Sequence, residues 1–325
     1  MTGVKVFSAR VAGFICLLAA TWMAVLFIAS NAPAPVQGFF RRFTSLAVGD
    51  WPSGGFSAKR FAEMKQASDL DVLFAGSSHC YRTFDTRFFR SRGLKTFNMG
   101  STAQTPLNTY FLLKQHIARL KPKLLIIEVY PGILGVDGTE SFLDLLTNIR
   151  PTRDLVSMAL AIRSVRVMNA LFARMMRIGE SGPAVSVRSG ARHERYIEGG
   201  FVERTDAAGG TREGRMKPVT ISDEQLDYLR KVVELAREQG GRAAFVVQPL
   251  PGDTVGGAKG LDDALAVVAR FAAGLKVPLF DYVTRGVMRD RRYYFDYHHL
   301  SREGVRVFDE MFYRDLTNAG LTPDG

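Results

Sequence analysis

Asp71–Asp85 reads DVLFAGSSHCYRTFD, and its first half decides the fold. Val72, Leu73, Phe74 and Ala75 form an apolar run without polar alternation, the pattern of a central parallel strand covered on both faces. Gly76, Ser77, Ser78 and His79 follow directly. A glycine at the carboxyl end of a strand lets the backbone turn sharply, and ligands of open α/β sheets bind outside those ends. A serine on this turn is presented rather than buried. Taken alone, Gly-Ser-Ser is also an ordinary helix start with a serine cap, so its meaning depends on what stands elsewhere in the chain.

Far downstream, Phe295-Asp296-Tyr297-His298-His299-Leu300-Ser301 precedes an apolar-periodic run from Val305 to Leu316. Asp and His three apart on one loop let a carboxylate orient the imidazole that deprotonates a serine. A third stretch, Thr96-Phe97-Asn98-Met99-Gly100-Ser101, ends another short strand-like run, where a glycine amide can face a developing oxyanion. Together these three stretches resemble the SGNH (GDSL-like) hydrolase superfamily over residues 71–316, interrupted by an insertion. The resemblance implies Ser78 as nucleophile, Asp296 as acid and His299 as base. It places Ser78 and Gly100 at the oxyanion, with Asn98, Tyr81 and Arg82 as substrate-binding candidates. His298 is then expected at the cleft rim or in solvent. Fold class follows as a flavodoxin-like three-layer α/β/α arrangement with strand order 2-1-3-4-5. Gly-Ser-Ser in place of Gly-Asp-Ser, behind an apolar N-terminal segment, looks most like the envelope acyl-transfer branch, with the alginate O-acetyltransferases and the teichoic acid D-alanyl-transfer protein. One departure stands out. Where that superfamily carries an asparagine after the third strand, this chain reads Ile127-Glu128-Val129-Tyr130-Pro131-Gly132. A second class, an anchored assembly or carrier-binding protein with weak catalysis on the same fold, accounts for that departure as well.

The 325 residues, 46% hydrophobic, suffice for one sizeable core. A net charge of +11 has no zinc-finger, RNP or helix-turn-helix pattern beside it, so nucleic acid is not the expected partner. The same excess suits anionic headgroups or acidic glycans. Cys16 and Cys80 build no disulfide framework, and Cys80 is a rival nucleophile outside the Gly-x-Ser register. No phosphate loop, cofactor motif or metal cluster is read, because His116 and His193 lack ligand spacing.

Val11–Ser30 holds twenty uncharged residues behind Lys5 and Arg10, enough to cross a bilayer core of ~30 Å with the N-terminus cytoplasmic. The alternative is a cleaved signal peptide. The expected organisation is a stub and anchor at 1–30, a linker and juxtamembrane segment at 31–69, and a catalytic domain at 70–325. That domain would lie on the periplasmic side of a bacterial inner membrane. Ser57 is expected to cap a helix at 58–67. Further strands are expected at Leu94–Phe97, Leu124–Val129, Ala243–Val247 and Val277–Phe280, with helices between them, including Pro106–Leu120 and Ser222–Gln239. An insertion, 133–220, is too long for a plain connection. Within it Leu155–Ile178 reads as one amphipathic helix rich in Met and Arg. Residues 150–217 carry 13 Lys/Arg against 7 Asp/Glu, a net +6. The segment is either a solvated basic face or a cap that holds an anionic polymer. The partners implied by the resemblance are the membrane, an anionic polysaccharide or other acyl acceptor, and a membrane-bound O-acyltransferase that supplies the acyl group.

Overall fold

A computed structural model describes residues 2–30, 32–33, 35–36, 56–148, 152–175, 193–205 and 216–322. In chain order these form α1 (Thr2–Ser30), α2 (Ser57–Met64), β1 (Val72–Ala75), α3 (Ser78–Thr83), α4 (Thr86–Ser91), β2 (Thr96–Asn98), α5 (Pro106–Leu120) and β3 (Leu124–Glu128). The insertion contributes α6 (Thr139–Asn148), α7 (Arg153–Ile162), α8 (Val165–Met175), β4 (Glu194–Ile197) and β5 (Phe201–Arg204). Then come α9 (Asp223–Glu238), β6 (Arg242–Val247), α10 (Gly252–Gly257), α11 (Leu261–Leu275), β7 (Leu279–Asp281) and α12 (Arg302–Asn318).

Five strands pair in parallel in the order β2-β1-β3-β6-β7. Counted within this sheet alone, that is the 2-1-3-4-5 order. Because neighbouring strand residues point to opposite faces, the sheet feeds two cores. Leu73, Ala75, Leu125, Ile127, Phe245 and Val247 join one cluster with α5, α9 and α11. Val72, Phe74, Leu124, Ile126, Ala244 and Val246 join the other with α4 and α12. Phe74 stacks on Phe84 at 4.3 Å, and Phe84 meets Phe312 of α12 at 5.3 Å. All four β1 residues are buried, as a strand covered on both faces requires.

Some boundaries differ from the periodicity. The second strand begins at Thr96 and the last at Leu279, each two residues later than the apolar runs suggest. Parallel register decides this, since Thr96 pairs with Val72 and Leu279 with Phe245. The expected single helix over 155–178 is two. Arg163, with φ 55°, ends α7 in the left-handed region, and α8 starts afresh; residues 176–178 lie outside the described ones. Ser57 is the first residue of α2 rather than its cap, and its hydroxyl donates to Asp144 Oδ2 at 2.7 Å. The expected juxtamembrane segment over 38–57 falls on residues 38–55, which lie outside the described set.

Within the insertion, β4 and β5 form an antiparallel hairpin whose turn closes the outer edge of β2. Asn98 N–H donates to Gly199 O at 2.7 Å, and Thr86 Oγ1 donates to Glu198 O at 2.6 Å. An edge strand covered in this way presents no template for further pairing. Buried Arg60 reaches across from α2 to donate to Gly200 O at 2.9 Å, so the lead-in helix and the hairpin hold each other.

Candidate active site

Strands β1 and β3 are neighbours, yet the chain leaves them toward opposite edges of the sheet. Their carboxyl ends therefore flank the topological switch point, where open sheets form a crevice. Gly76 stands at that point with φ +151°, and a Cβ there would lie 2.6 Å from Glu128 Oε2. Only glycine lets the turn pass this closely over β3. Ser77 then caps α3, its Oγ accepting from His79 N–H at 3.2 Å. Ser78 follows as the first helical residue.

Asp296 and His299 approach from the other end of the chain. Their loop is pinched by a Tyr294–Leu300 bridge and by Phe295 N–H donating to His299 O at 3.1 Å. Ser301 closes it by capping α12 through Gly304 N–H. Thr254 Oγ1 of α10 adds a bond to Tyr297 O at 2.6 Å. Short local bonds thus fix a loop with no regular structure of its own.

The two ends meet. Ser78 Oγ lies 2.9 Å from His299 Nε2, and His299 Nδ1 lies 2.7 Å from Asp296 Oδ2. Asp296 Oδ1 accepts from the His298 and His299 amides at 2.9 and 2.7 Å, so the carboxylate is fixed on both oxygens. Burial pushes the Asp296 carboxyl up. The hydrogen bond from His299 and the nearby imidazoles outweigh it, holding the group well below the usual carboxylate range. Burial lowers the His299 pKa against the pull of Asp296, with Arg82 and Arg204 adding to the drop, which keeps Nε2 unprotonated. With the proton on Nδ1 facing Asp296, Nε2 can accept from Ser78 Oγ.

Several sequence-level assignments change. The Gly100 amide is not an open donor, for it bonds to Asn98 Oδ1 at 3.1 Å. The need for glycine there is spatial: an added Cβ would sit 3.0 Å from Cys80 Cβ and 3.1 Å from the Gly76 and Ser77 carbonyl oxygens. Asn98 is buried and rivets β2 to α3, taking the Cys80 thiol at 3.2 Å and giving its amide to Cys80 O at 2.8 Å. It has no surface for substrate. Tyr81 is buried too, its ring beneath the Arg60 guanidinium at 4.5 Å. Arg82 is tied to Glu194 at 2.6 Å. Cys80 drops out as a nucleophile, since burial and the Glu128 charge hold its thiol well above the ordinary range. The Ser78 amide remains a donor without an acceptor among the described residues.

Two features were missed by reading residues singly. Glu128, the last residue of β3, is buried beneath the serine turn. Its Oε2 accepts from both Ser77 N–H and Ser77 Oγ at 2.8 Å, and burial raises its pKa to about 7. The available signal was a lone acid closing the otherwise apolar β3. His79 and His298 also join His299. The His79 ring lies 4.8 Å from His299, 4.6 Å from His298 and 4.1 Å from Tyr130. His298 is half-buried beside the site, at the rim rather than out in solvent. It stacks on Tyr297 at 3.9 Å and sits 3.9 Å from the His299 ring.

Comparison with family models and with curated proteins finds no match. Among solved structures, a GDSL-like lipase from Bacteroides thetaiotaomicron is similar at 13% identity, covering 82% of this chain and 98% of that one, TM-score 0.43. A lipase/acylhydrolase from Enterococcus faecalis is similar at 10% identity, over 76% and 95%, TM-score 0.40. A catalytic mutant of an acetylxylan esterase from Geobacillus stearothermophilus is similar at 12% identity, over 76% and 94%, TM-score 0.40. By its own strand order and side-chain geometry, the chain carries a three-layer α/β/α fold with Ser78, His299 and Asp296 hydrogen-bonded in series at the carboxyl end of its sheet.

Proposed function

We propose that the protein is a serine-dependent acyl transferase or esterase of SGNH type, acting on an acylated cell-envelope polysaccharide. The observation that carries this is the Ser78–His299–Asp296 series, with the imidazole neutral and poised on the hydroxyl. Ser78 Oγ attacks the ester carbonyl while His299 Nε2 takes its proton. Asp296 stabilises the resulting imidazolium, and the Ser78 amide faces the oxyanion. His299 returns the proton to the departing alcohol, leaving an acyl-serine. Water then gives hydrolysis, and a sugar hydroxyl gives transfer.

What supports an anionic acceptor is a cavity of about 220 Å³ in which five arginines, Arg82, Arg87, Arg204, Arg302 and Arg306, outnumber three acids, Asp85, Glu203 and Asp309, with Leu300, the sequence neighbour of His299, in the lining. Arg306 makes no ion pair among the described residues. A helix at Val4–Ala29, with mean hydropathy 2.4, is long and apolar enough to cross a membrane. In this reading it anchors the catalytic domain on the extracytoplasmic face of a bacterial inner membrane, beside a membrane-bound O-acyltransferase that supplies the acyl group. Neither a cofactor nor a metal takes part in the steps above. The test is covalent labelling by a fluorophosphonate, expected for the wild type and lost in Ser78→Ala with the fold unchanged by circular dichroism. Equal labelling of the two proteins would remove Ser78 from the role.

A further inference from the structure

The mechanism uses one of three histidines that converge at the site. One ring nitrogen from each of His79, His298 and His299 lies within 4.8 Å of the others. His79 is 2% exposed, and its Nε2 has no hydrogen-bond partner among the described residues. Its Nδ1 faces Ser77 Oγ at 3.5 Å, and that hydroxyl gives its own proton to Glu128. Either ring nitrogen can carry the proton, and the tautomer with the proton on Nδ1 leaves the Nε2 lone pair free for a ligand. His298 Nδ1 is likewise buried without a partner. Leaving a buried polar atom unsatisfied is destabilising, and here two stand beside a third imidazole.

His299 already makes the bond that metal-ligating histidines make, from Nδ1–H to a carboxylate, which orients the ring and raises the basicity of Nε2. Three neutral imidazoles suit borderline ions such as zinc and disfavour calcium and magnesium, which take oxygen ligands. Tetrahedral zinc at ~2.0–2.1 Å from each nitrogen needs ring nitrogens roughly 3.4 Å apart, so the rings must close by about an ångström. We propose that His79, His298 and His299 form a zinc-type site, and that filling it silences Ser78 by occupying the His299 Nε2 lone pair. Water, or Ser78 Oγ itself, takes the fourth position. Metal is thus an inhibitor here, not a cofactor. The silencing rests on the function proposed above; the binding does not.

The experiment uses the untagged full chain in detergent, titrated with Co²⁺ by visible absorption and with Zn²⁺ by calorimetry. Expected are one ion per chain and the intense bands of four-coordinate Co²⁺. His298→Ala weakens binding by at least about 100-fold, as does His79→Phe, which keeps a ring against Tyr130 should His79→Ala fail to fold. Asp296→Asn weakens it about 10- to 100-fold. In ester turnover, Zn²⁺ inhibits the wild type and EDTA restores it, while His298→Ala stays active and escapes inhibition by a matching factor. Equal Zn²⁺ affinity in wild type and His298→Ala, or a six-coordinate Co²⁺ spectrum, overturns the site and leaves the nitrogens to ordered water. Tight binding to an active enzyme without inhibition overturns the role of His299 as ligand. Should the chain turn over no ester at all, the proposed function fails, and the Co²⁺ spectra still decide the site.

Discussion

At the scale of single residues, two adjacent histidines separate by their partners. His299 has Ser78 on one nitrogen and Asp296 on the other, whereas the His298 ring stacks on Tyr297 and only its backbone amide reaches Asp296. Loss of a triad member costs about a thousandfold or more, so His299→Ala should fall by at least that in kcat/KM and His298→Ala by less than about tenfold. Ester turnover by the two variants checks the order, and the reverse ranking would place the base one residue earlier. Glu128 makes a separate prediction about stability. The folded protein raises this carboxyl from 4.5 to about 7, through burial against the opposing bonds from Ser77. Folded chains therefore keep a proton that unfolded chains release. Stability from this group is complete below pH 4.5, declines as pH rises toward 7 and is lost above it. The span corresponds to about 3 kcal/mol at ~1.4 kcal/mol per unit. Glu128→Gln should remove this slope and be the more stable of the two at pH 8, read from thermal unfolding of both proteins at pH 5 and pH 8. An identical difference at the two pH values would assign the carboxyl an ordinary pKa.

Among elements, the β4–β5 hairpin reaches furthest from its own sequence. Glu194 receives Arg82 at 2.6 Å and Arg204 at 3.3 Å, all three side chains largely buried, and both guanidiniums lie near enough to His299 to lower its pKa. Removing the charge from one partner of a buried ion pair leaves the others uncompensated. Glu194→Gln should therefore cost about 3 kcal/mol, seen in the urea midpoint. With Glu194 neutral, the positive field on His299 grows and its pKa drops further. Since the neutral imidazole is the working form, the acid limb of the kcat/KM profile should move to lower pH; a limb that stays put or rises would uncouple the hairpin from the base. Short β-like pieces over 181–217 hint at the hairpin, but its docking was not legible, because the pairs that tie it down, Arg82–Glu194 and Arg87–Glu203, join residues 112 and 116 positions apart. By contrast, β1, α5 and α12 could be read directly. Four buried residues ending in Gly76, a Thr105 cap before Pro106, and a Ser301 cap before Val305 are local signals. Asn98 and Gly100 were seen as important but given the wrong task, since packing of β2 on α3 and oxyanion binding demand the same short polar and small residues.

For the molecule as a whole, the sheet joins Ser78 to His299 across 221 positions. That meeting was anticipated from the resemblance, since Ser78 follows a strand whereas the Asp296–His299 loop lies fifteen or more residues past β7 and just before α12. The placement of α1 had no such guide beyond its apolarity. Most of α1 is exposed, but Leu26 and Ala29 are buried and Trp22 Nε1 donates to Asn169 Oδ1 of α8 at 2.9 Å, so the end of the helix rests on the insertion. Near that contact α7 and α8 leave Leu160, Val165, Met168 and Met175 exposed, an apolar face that suits the headgroup boundary beside an anchor. Ser78, Glu128, Asp296 and His299, the residues of the proposed mechanism, all lie between residues 78 and 299, apart from this contact. If α1 is an anchor, the full chain should sediment with membranes and a fragment beginning at residue 38 should leave that fraction. It should keep kcat/KM on a small acetyl ester within about threefold, because truncation removes no group that acts in the transition state. Loss of more than about tenfold, with the fragment folded by circular dichroism, would mean that α1 acts on the active site through α8 and is more than an anchor.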